Sequence, residues 1–263
     1  MKNLQSLRLC AAAVVLAVFA VSALLSPVAG QEDEARVSEK FYVRTGQEGT
    51  VHGTIFFSGK AQRRQRINMS QDGECQRRFA GALDESLVVT KGKITNVFVY
   101  MKEGNALKDY VFETPMSPVV LDQKGCRFVP HVLGVQVRQT LKILNSDLTI
   151  HNVNGSQVKL NERWNMSQDV GEPPIVKAFA RPELFIPIKC NLHPWMKAYV
   201  NVMKHPFFAV TGRDGSYRIE GLPPGEYTLM AWHEKLGEKS VRVIVAPSQT
   251  HAQNFTFKGP ETN

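Results

Sequence analysis

From about residue 50 to residue 258 the apolar side chains recur at every second position, in short runs broken by Gly, Pro, Asn and Asp. "TVHGTIFFSG", "ITNVFVYMKEG", "GSYRIEG", "EYTLMAW", "KSVRVIVA" and "HAQNFTFK" all read this way. A period of two puts alternate side chains on one face of an extended chain, so these runs predict strands. Short strands at regular spacing, with turn residues between them, predict an all-β sandwich architecture. Helical periodicity is almost absent, and "DGECQRRFAGAL" is the one place for a short helix. No internal repeat or low-complexity tract is present.

The first thirty residues do not share this pattern. "MKNLQSLRLC" carries Lys2 and Arg8, "AAAVVLAVFAVSALL" is unbroken apolar sequence, and "SPVAGQ" supplies small residues. Charge, apolar run and small-residue exit predict a secretory signal peptide over 1–30, cut after Ala29 or Gly30. The apolar run is shorter than the roughly 20 residues of a spanning helix, which weighs against a retained membrane anchor. The expected location is therefore periplasmic or secreted. Residues 31–45 are charged and weakly patterned and read as a linker. The formal net charge of +8 is mildly basic, with clusters only at "QRRQR" and "CQRRF". No basic helix interleaved with aromatics appears, so nucleic acid is not an expected partner. An acidic protein surface or an anionic wall polymer suits the charge better.

Cys10 leaves with the signal peptide, so three cysteines remain: Cys75, Cys126 and Cys190. An odd count in an exported protein implies one disulfide and one cysteine with another role. Cys190 sits in "KCNLHPWMK", a C-x2-H-x2-M spacing, and is the odd one out. Cys75 and Cys126 are then the disulfide candidates.

A metal held by Cys190, His193 and Met196 needs a fourth ligand. "LKILNSDLTIHNV" offers His151 at the end of a strand, after an Asn-Ser-Asp turn. A thiolate, two imidazoles and a weak axial thioether make the trigonal site of blue-copper electron transfer. A methionine ligand argues against zinc. The loop would run from the end of one strand ("LFIPIKC") to the start of the next ("MKAYVNV"). Asn152 follows His151 and is placed to brace the ligand loop by hydrogen bonding. Pro194 lacks a backbone donor and stiffens the turn. His131, in "FVPHVL", is an alternative ligand for a redder variant of the site. His205 and His233 read as structural, and His52 and His251 carry no motif. Glu234 beside His233 has no visible partner nucleophile.

These residues carry a family resemblance. "CNLHPWM" resembles the short ligand loop of the cupredoxins in its amicyanin-like form, within the wider plastocyanin-like group. "FVPHVLGVQVRQTLKILNSDLTIHNV" is similar to the cupredoxin run that ends in N-x-D-x-x-x-H-N-V. Gln139 stands where that run has a glycine, a departure expected to weaken a turn. The resemblance covers about 115–205. It implies His151, Cys190, His193 and Met196 as ligands of one copper, with His193 as the exposed electron port.

A second resemblance lies in "TGRDGSYRIEGLPPGEYTLMAWHE", which is similar to carboxypeptidase-regulatory-like domains of transthyretin-like fold. Asp214-Gly215 reads as a tight hairpin turn and Pro223-Pro224-Gly225 as a rigid second one. Tyr217, Ile219, Tyr227 and Leu229 alternate onto one face. Residues 208–258 are too few for the whole sandwich, and "GTVHGTIFFSGK" and "ITNVFVYMK" look like its missing strands. The expected fold is therefore all-β: a cupredoxin Greek-key β-sandwich at 115–205, packed with or inserted into a transthyretin-like sandwich of 46–114 plus 206–258.

The leading functional expectation is a one-electron carrier, not an enzyme, exchanging electrons with a cytochrome or a copper or quinone enzyme. An alternative class is a carbohydrate- or protein-binding module, with Tyr227 and Trp232 as an aromatic platform. Copper storage or delivery is a third.

Overall fold

The computed structural model describes residues 40–259; the leader and residues 31–39 of the expected linker lie outside them. Among the described residues strands dominate, with two short helices, Gly73–Phe79 and Asn105–Asp109. The second had no sequence signal strong enough to expect it. Among the described residues no helix is long and apolar enough to cross a membrane.

The strands fall into two sets. In the first, Gly49–Ser58 is central: antiparallel to Ser216–Leu222 and Lys93–Ile94, parallel to Thr250–Ala252 and Phe255–Lys258. A second sheet runs Phe208–Val210, Phe98–Gly104, Gly225–His233, Gly237–Val245. Val51, Ile55, Val99, Met101, Ile219 and Leu229 form the core between the two. In the other set one sheet runs Asn165–Gln168, His151–Asn154, Glu183–Lys189, Lys197–Met203, Val132–Gln136. Its companion runs Ile175–Lys177, Leu141–Asn145, Val119–Gln123, Phe128–Val129. Leu121, Ile143, Val153, Ile188 and Val200 fill the space between them. No ladder between these strands joins the two sets. The first set is built from both ends of the described chain and the second from its middle.

Where the alternation fails, a strand is buried on both faces. "FVYM" turns Val99 and Met101 into the first core and Phe98 and Tyr100 the other way. "LMAW" likewise sends Leu229 and Ala231 inward and Met230 and Trp232 outward. These outward side chains meet Val132, Met203, Phe185 and Tyr199 of the second set, and Trp232 stacks on Phe185 at 4.3 Å. The two sandwiches thus share an apolar seam. Tyr227 and Trp232 are both buried, so neither offers a surface platform for sugar.

Four local expectations need correction. Asp214-Gly215 is a tight turn, with the Gly215 N–H bonded to the Gly212 carbonyl at 2.9 Å and Gly215 at φ +66. It is not a hairpin, because the strands it joins, Phe208–Val210 and Ser216–Leu222, belong to opposite sheets. Pro223-Pro224-Gly225 also crosses between sheets, from Ser216–Leu222 to Gly225–His233. Local chemistry sets a tight turn but not which partner each arm finds. At the turn after Val132–Gln136 the positive φ falls on Arg138, not Gln139. Gln139 braces that turn instead: its Oε1 accepts the Gln136 N–H at 2.9 Å and its Nε2 donates to the Ser117 carbonyl at 3.0 Å. Residues 40–45 are tied down rather than free, since the Tyr42 N–H bonds the Val111 carbonyl at 2.8 Å and Phe41 bridges Val111.

Residues 59–88 matter most for the site. They leave the first sandwich after Gly49–Ser58 and lie against the second. A disulfide joins Cys75 to Cys126, and Met69, Cys75 and Cys126 form a small core on which Trp195 packs.

Candidate metal centre

His151 opens the strand His151–Asn154, placed there by the turn before it. The Asn145 side chain accepts the Asp147 N–H at 3.1 Å and donates to the Thr149 carbonyl at 2.9 Å. Cys190 follows the strand Glu183–Lys189, and Met196 precedes Lys197–Met203. The loop between them is closed by backbone bonds, Cys190 N–H to the Met196 carbonyl at 3.2 Å and Met196 N–H to the His193 carbonyl at 2.8 Å.

Three ligand-type atoms converge here. The Nδ1 atoms of His151 and His193 are 2.9 Å apart, and Cys190 Sγ lies 3.5 Å from His193 Nδ1. The donor atoms of His151, Cys190 and His193 all lie within 4.8 Å of one another. Exposures of 0% for His151 and 3% for Cys190 and His193 keep water out. Met196 is buried in the same core cluster as Cys190.

Each imidazole has its far nitrogen held by a carboxylate. His151 Nε2 meets Asp147 Oδ2 at 3.0 Å, and His193 Nε2 meets Asp72 Oδ2 at 3.1 Å. A carboxylate at Nε2 fixes the proton there and leaves the Nδ1 lone pair free, as in histidines that bind metals. The carboxylates are anchored in turn. Asp147 accepts the N–H groups of Gly125 and Cys126 at 2.7 and 2.8 Å. Asp72 caps the helix Gly73–Phe79 through the Cys75 N–H at 2.7 Å and accepts from Thr149 Oγ1 at 3.1 Å. Burial pushes both carboxyls up, but these donors and the imidazoles outweigh it and hold both below the ordinary carboxylate value.

Burial alone would push the Cys190 thiol up. The two imidazoles and the Asn152 N–H, 3.3 Å from Sγ, outweigh it and bring its pKa down to about 6. Thiolate is the nucleophilic and metal-binding form, so it predominates near neutral pH. Asn152 also ties the loop: its Oδ1 accepts the Asn191 N–H at 3.2 Å and its Nδ2 donates to Asn165 Oδ1 at 2.8 Å. Pro194 is exposed at the loop's outer face.

His131 does not join this cluster. Its Nε2 bonds Glu234, a buried carboxylate that also takes Lys197 Nζ at 2.8 Å. Burial raises the Glu234 carboxyl, but His131 and Lys197 overcome it and lower it to about 2. The reading of His193 as an exposed port is overturned: the 59–88 segment covers it and Asp72 occupies its outer nitrogen. Two other groupings, Asp72–Cys75–His193 and Cys126–Asp147–His151, share a cysteine with the disulfide and have no thiolate to offer.

Asp72, Asp147 and Trp195 carry the site without having been singled out by sequence. Asp147 had a trace, the N-x-D before His151. Asp72 opens the stretch "DGECQRRFAGAL", and nothing in that stretch signals its reach to His193.

No family model matches the chain, and no curated protein does. Among solved structures, a copper-containing nitrite reductase from Thermus scotoductus SA-01 overlaps 46% of this chain at 22% identity and TM-score 0.31. This chain spans about a quarter of that enzyme, 27% of its length. Amicyanin from Paracoccus versutus overlaps 40% of this chain and 96% of its own, at 17% identity and TM-score 0.28.

Proposed function

We propose that the chain is an exported one-electron carrier that holds a single copper ion at His151, Cys190, His193 and Met196. The observation that carries this reading is the pair of Nδ1 atoms turned toward the Cys190 sulfur, each imidazole held from behind by its own buried aspartate. The donor set fits copper: a thiolate with two neutral imidazoles suits both its oxidation states, and a thioether would add a weak fourth donor. Copper, when bound, would supply the one-electron redox couple. The residues supply everything else. Asp147 and Asp72 hold the rings and their tautomers, the Asn152 N–H stabilises charge on sulfur, and the buried walls exclude water. A site held from several sides rearranges little when an electron arrives.

The middle set of strands, about 115–205, is read as a cupredoxin sandwich inserted into a transthyretin-like one made of 46–114 and 206–258. The separation of the two sets of ladders supports this. The burial of His151 and Cys190 favours retention of the metal over delivery. The partner is a redox protein or molecule outside the cell membrane.

The test is the visible and electron-spin-resonance spectrum of the protein loaded with cupric ion. An intense thiolate-to-copper band that Cys190→Ser abolishes, with the fold intact by circular dichroism, is the expected result. A colourless loaded protein would sink the reading.

A further inference from the structure

With His193 covered, an electron needs another way to the site, and the neighbouring side chain supplies one. Trp195 lies two residues further along the same loop, its ring centroid 5.0 Å from that of His193. The ring is fixed: its Nε1–H donates to the Cys126 carbonyl at 3.0 Å. Trp195 also lines a surface cleft of about 740 Å³ formed with residues 62–68, 84, 86–87, 235–236 and 258–259. The charge of this cleft is one-sided. Arg63, Arg64, Arg66, Lys235 and Lys258 line it against the single carboxylate of Asp84. None of the five cations makes an ion pair among the described residues. Arg64 is held by neutral oxygens, donating to the carbonyls of Asp84 at 2.6 Å and Leu83 at 3.0 Å, which orients its charge without cancelling it. Uncompensated cations around a concavity attract and concentrate anions.

Resting on the copper reading above, we infer that this cleft receives a small anionic one-electron donor and that Trp195 carries the electron from it to the metal. The donor loses one electron and the cupric centre gains it; no bond forms or breaks and no proton moves. The concave shape favours a small molecule, because a flat protein face would rest on the rim and leave Trp195 out of reach. The volume is in the range of small-molecule sites.

The experiment has two arms. In metal-free protein, Trp195 emission is isolated by subtracting that of Trp195→Phe, and quenching by iodide is compared with quenching by caesium. Iodide should quench far more strongly, and the exposed-site double variant Arg63→Glu, Lys235→Glu should reverse the preference. In copper-loaded protein at low ionic strength, hexacyanoferrate(II) should reduce the wild type about tenfold or more faster than the double variant, the usual size of charge steering. Hexaammineruthenium(II) should show the opposite order. Trp195→Leu should slow both reagents while the visible spectrum stays unchanged. Equal quenching by the two ions, or a Trp195→Leu protein reduced at the wild-type rate, overturns the proposal. So does a face where iodide fails but poly-glutamate shields Trp195 from acrylamide, since that marks an acidic macromolecule as the occupant. If the protein takes up no copper, the functional reading falls, and the quenching arm alone still decides whether the cleft draws anions.

Discussion

Asp72 and His193 stand 121 residues apart in the chain and meet at 3.1 Å, carboxylate to Nε2. One belongs to an excursion from the first sandwich and the other to the ligand loop of the second, so this bond makes the site a joint product of both. Asp72→Asn keeps the shape of the side chain but removes its charge. The variant should hold copper about 10- to 100-fold more weakly, the usual effect of losing the partner behind a histidine ligand. It should lose little stability, because Asn is nearly as good a helix cap as Asp. A copper competition titration beside a thermal melt separates the two effects. Unchanged affinity would mean that Asp72 only caps its helix.

The disulfide that fixes the excursion closes a loop across a sequence separation of 51. On the loop-entropy account a closure of that length is worth about 4 kcal/mol. Replacing Cys75 and Cys126 together by alanine should lower stability by an amount of that order in urea unfolding. Copper-loaded protein should keep its thiolate band, since Cys190 is not in the bridge. A large loss of stability together with loss of colour would show instead that the excursion must be pinned for the ligand loop to form.

The legible parts of this molecule were the local ones. His151 opens a strand, Cys190 follows one and His193 lies in the loop that links two, beside runs whose alternation is readable, and their spacing points to a shared centre. The turn at Asp214-Gly215 was legible from its dipeptide, but its role as a corner between sheets was not, because sheet partners are chosen by long-range packing. The double-sided burial of Phe98 to Met101 departs from the period-two reading of that run, because the second surface these residues meet is set by long-range packing. Asp72 was out of reach altogether. Its contact with His193 depends on where an irregular segment settles after a disulfide is made, and no periodicity encodes that.

Met196 follows the loop's turn and is buried beside Cys190 in the core. In the proposed site it would be a weak thioether donor, the kind of ligand that tunes the potential. Met196→Leu should leave copper bound through the three remaining donors and raise the reduction potential, because a lost donor costs the more highly charged cupric ion more. Voltammetry of wild type and variant measures this directly. An unchanged potential would remove Met196 from the ligand set.

His205 gives a pH dependence that does not involve the metal. It lies where the chain passes from one sandwich to the other, edge-on to Phe112 and stacked on Phe207. Burial drives its pKa down from the ordinary 6.5 to about 4. Its Nδ1 accepts the Phe207 N–H at 3.2 Å, which only a neutral ring can do. Above pH 6.5 the ring is uncharged in both folded and unfolded chains and has no effect on the balance. As pH falls below 6.5 the unfolded chain takes up a proton that the folded one refuses, so stability is lost until about pH 4. The loss from this group approaches about 3 kcal/mol at one pKa unit per 1.36 kcal/mol. His233, also brought down to about 4 by burial, adds a second loss of the same sign. Asn can offer an acceptor oxygen in place of Nδ1 without titrating in this range. Metal-free His205→Asn should therefore show a shallower fall in stability between pH 6.5 and 4 than the wild type, with the His205 share of the loss gone. Parallel curves for the two proteins would mean that His205 is protonated in the folded state and pays its burial cost in another way.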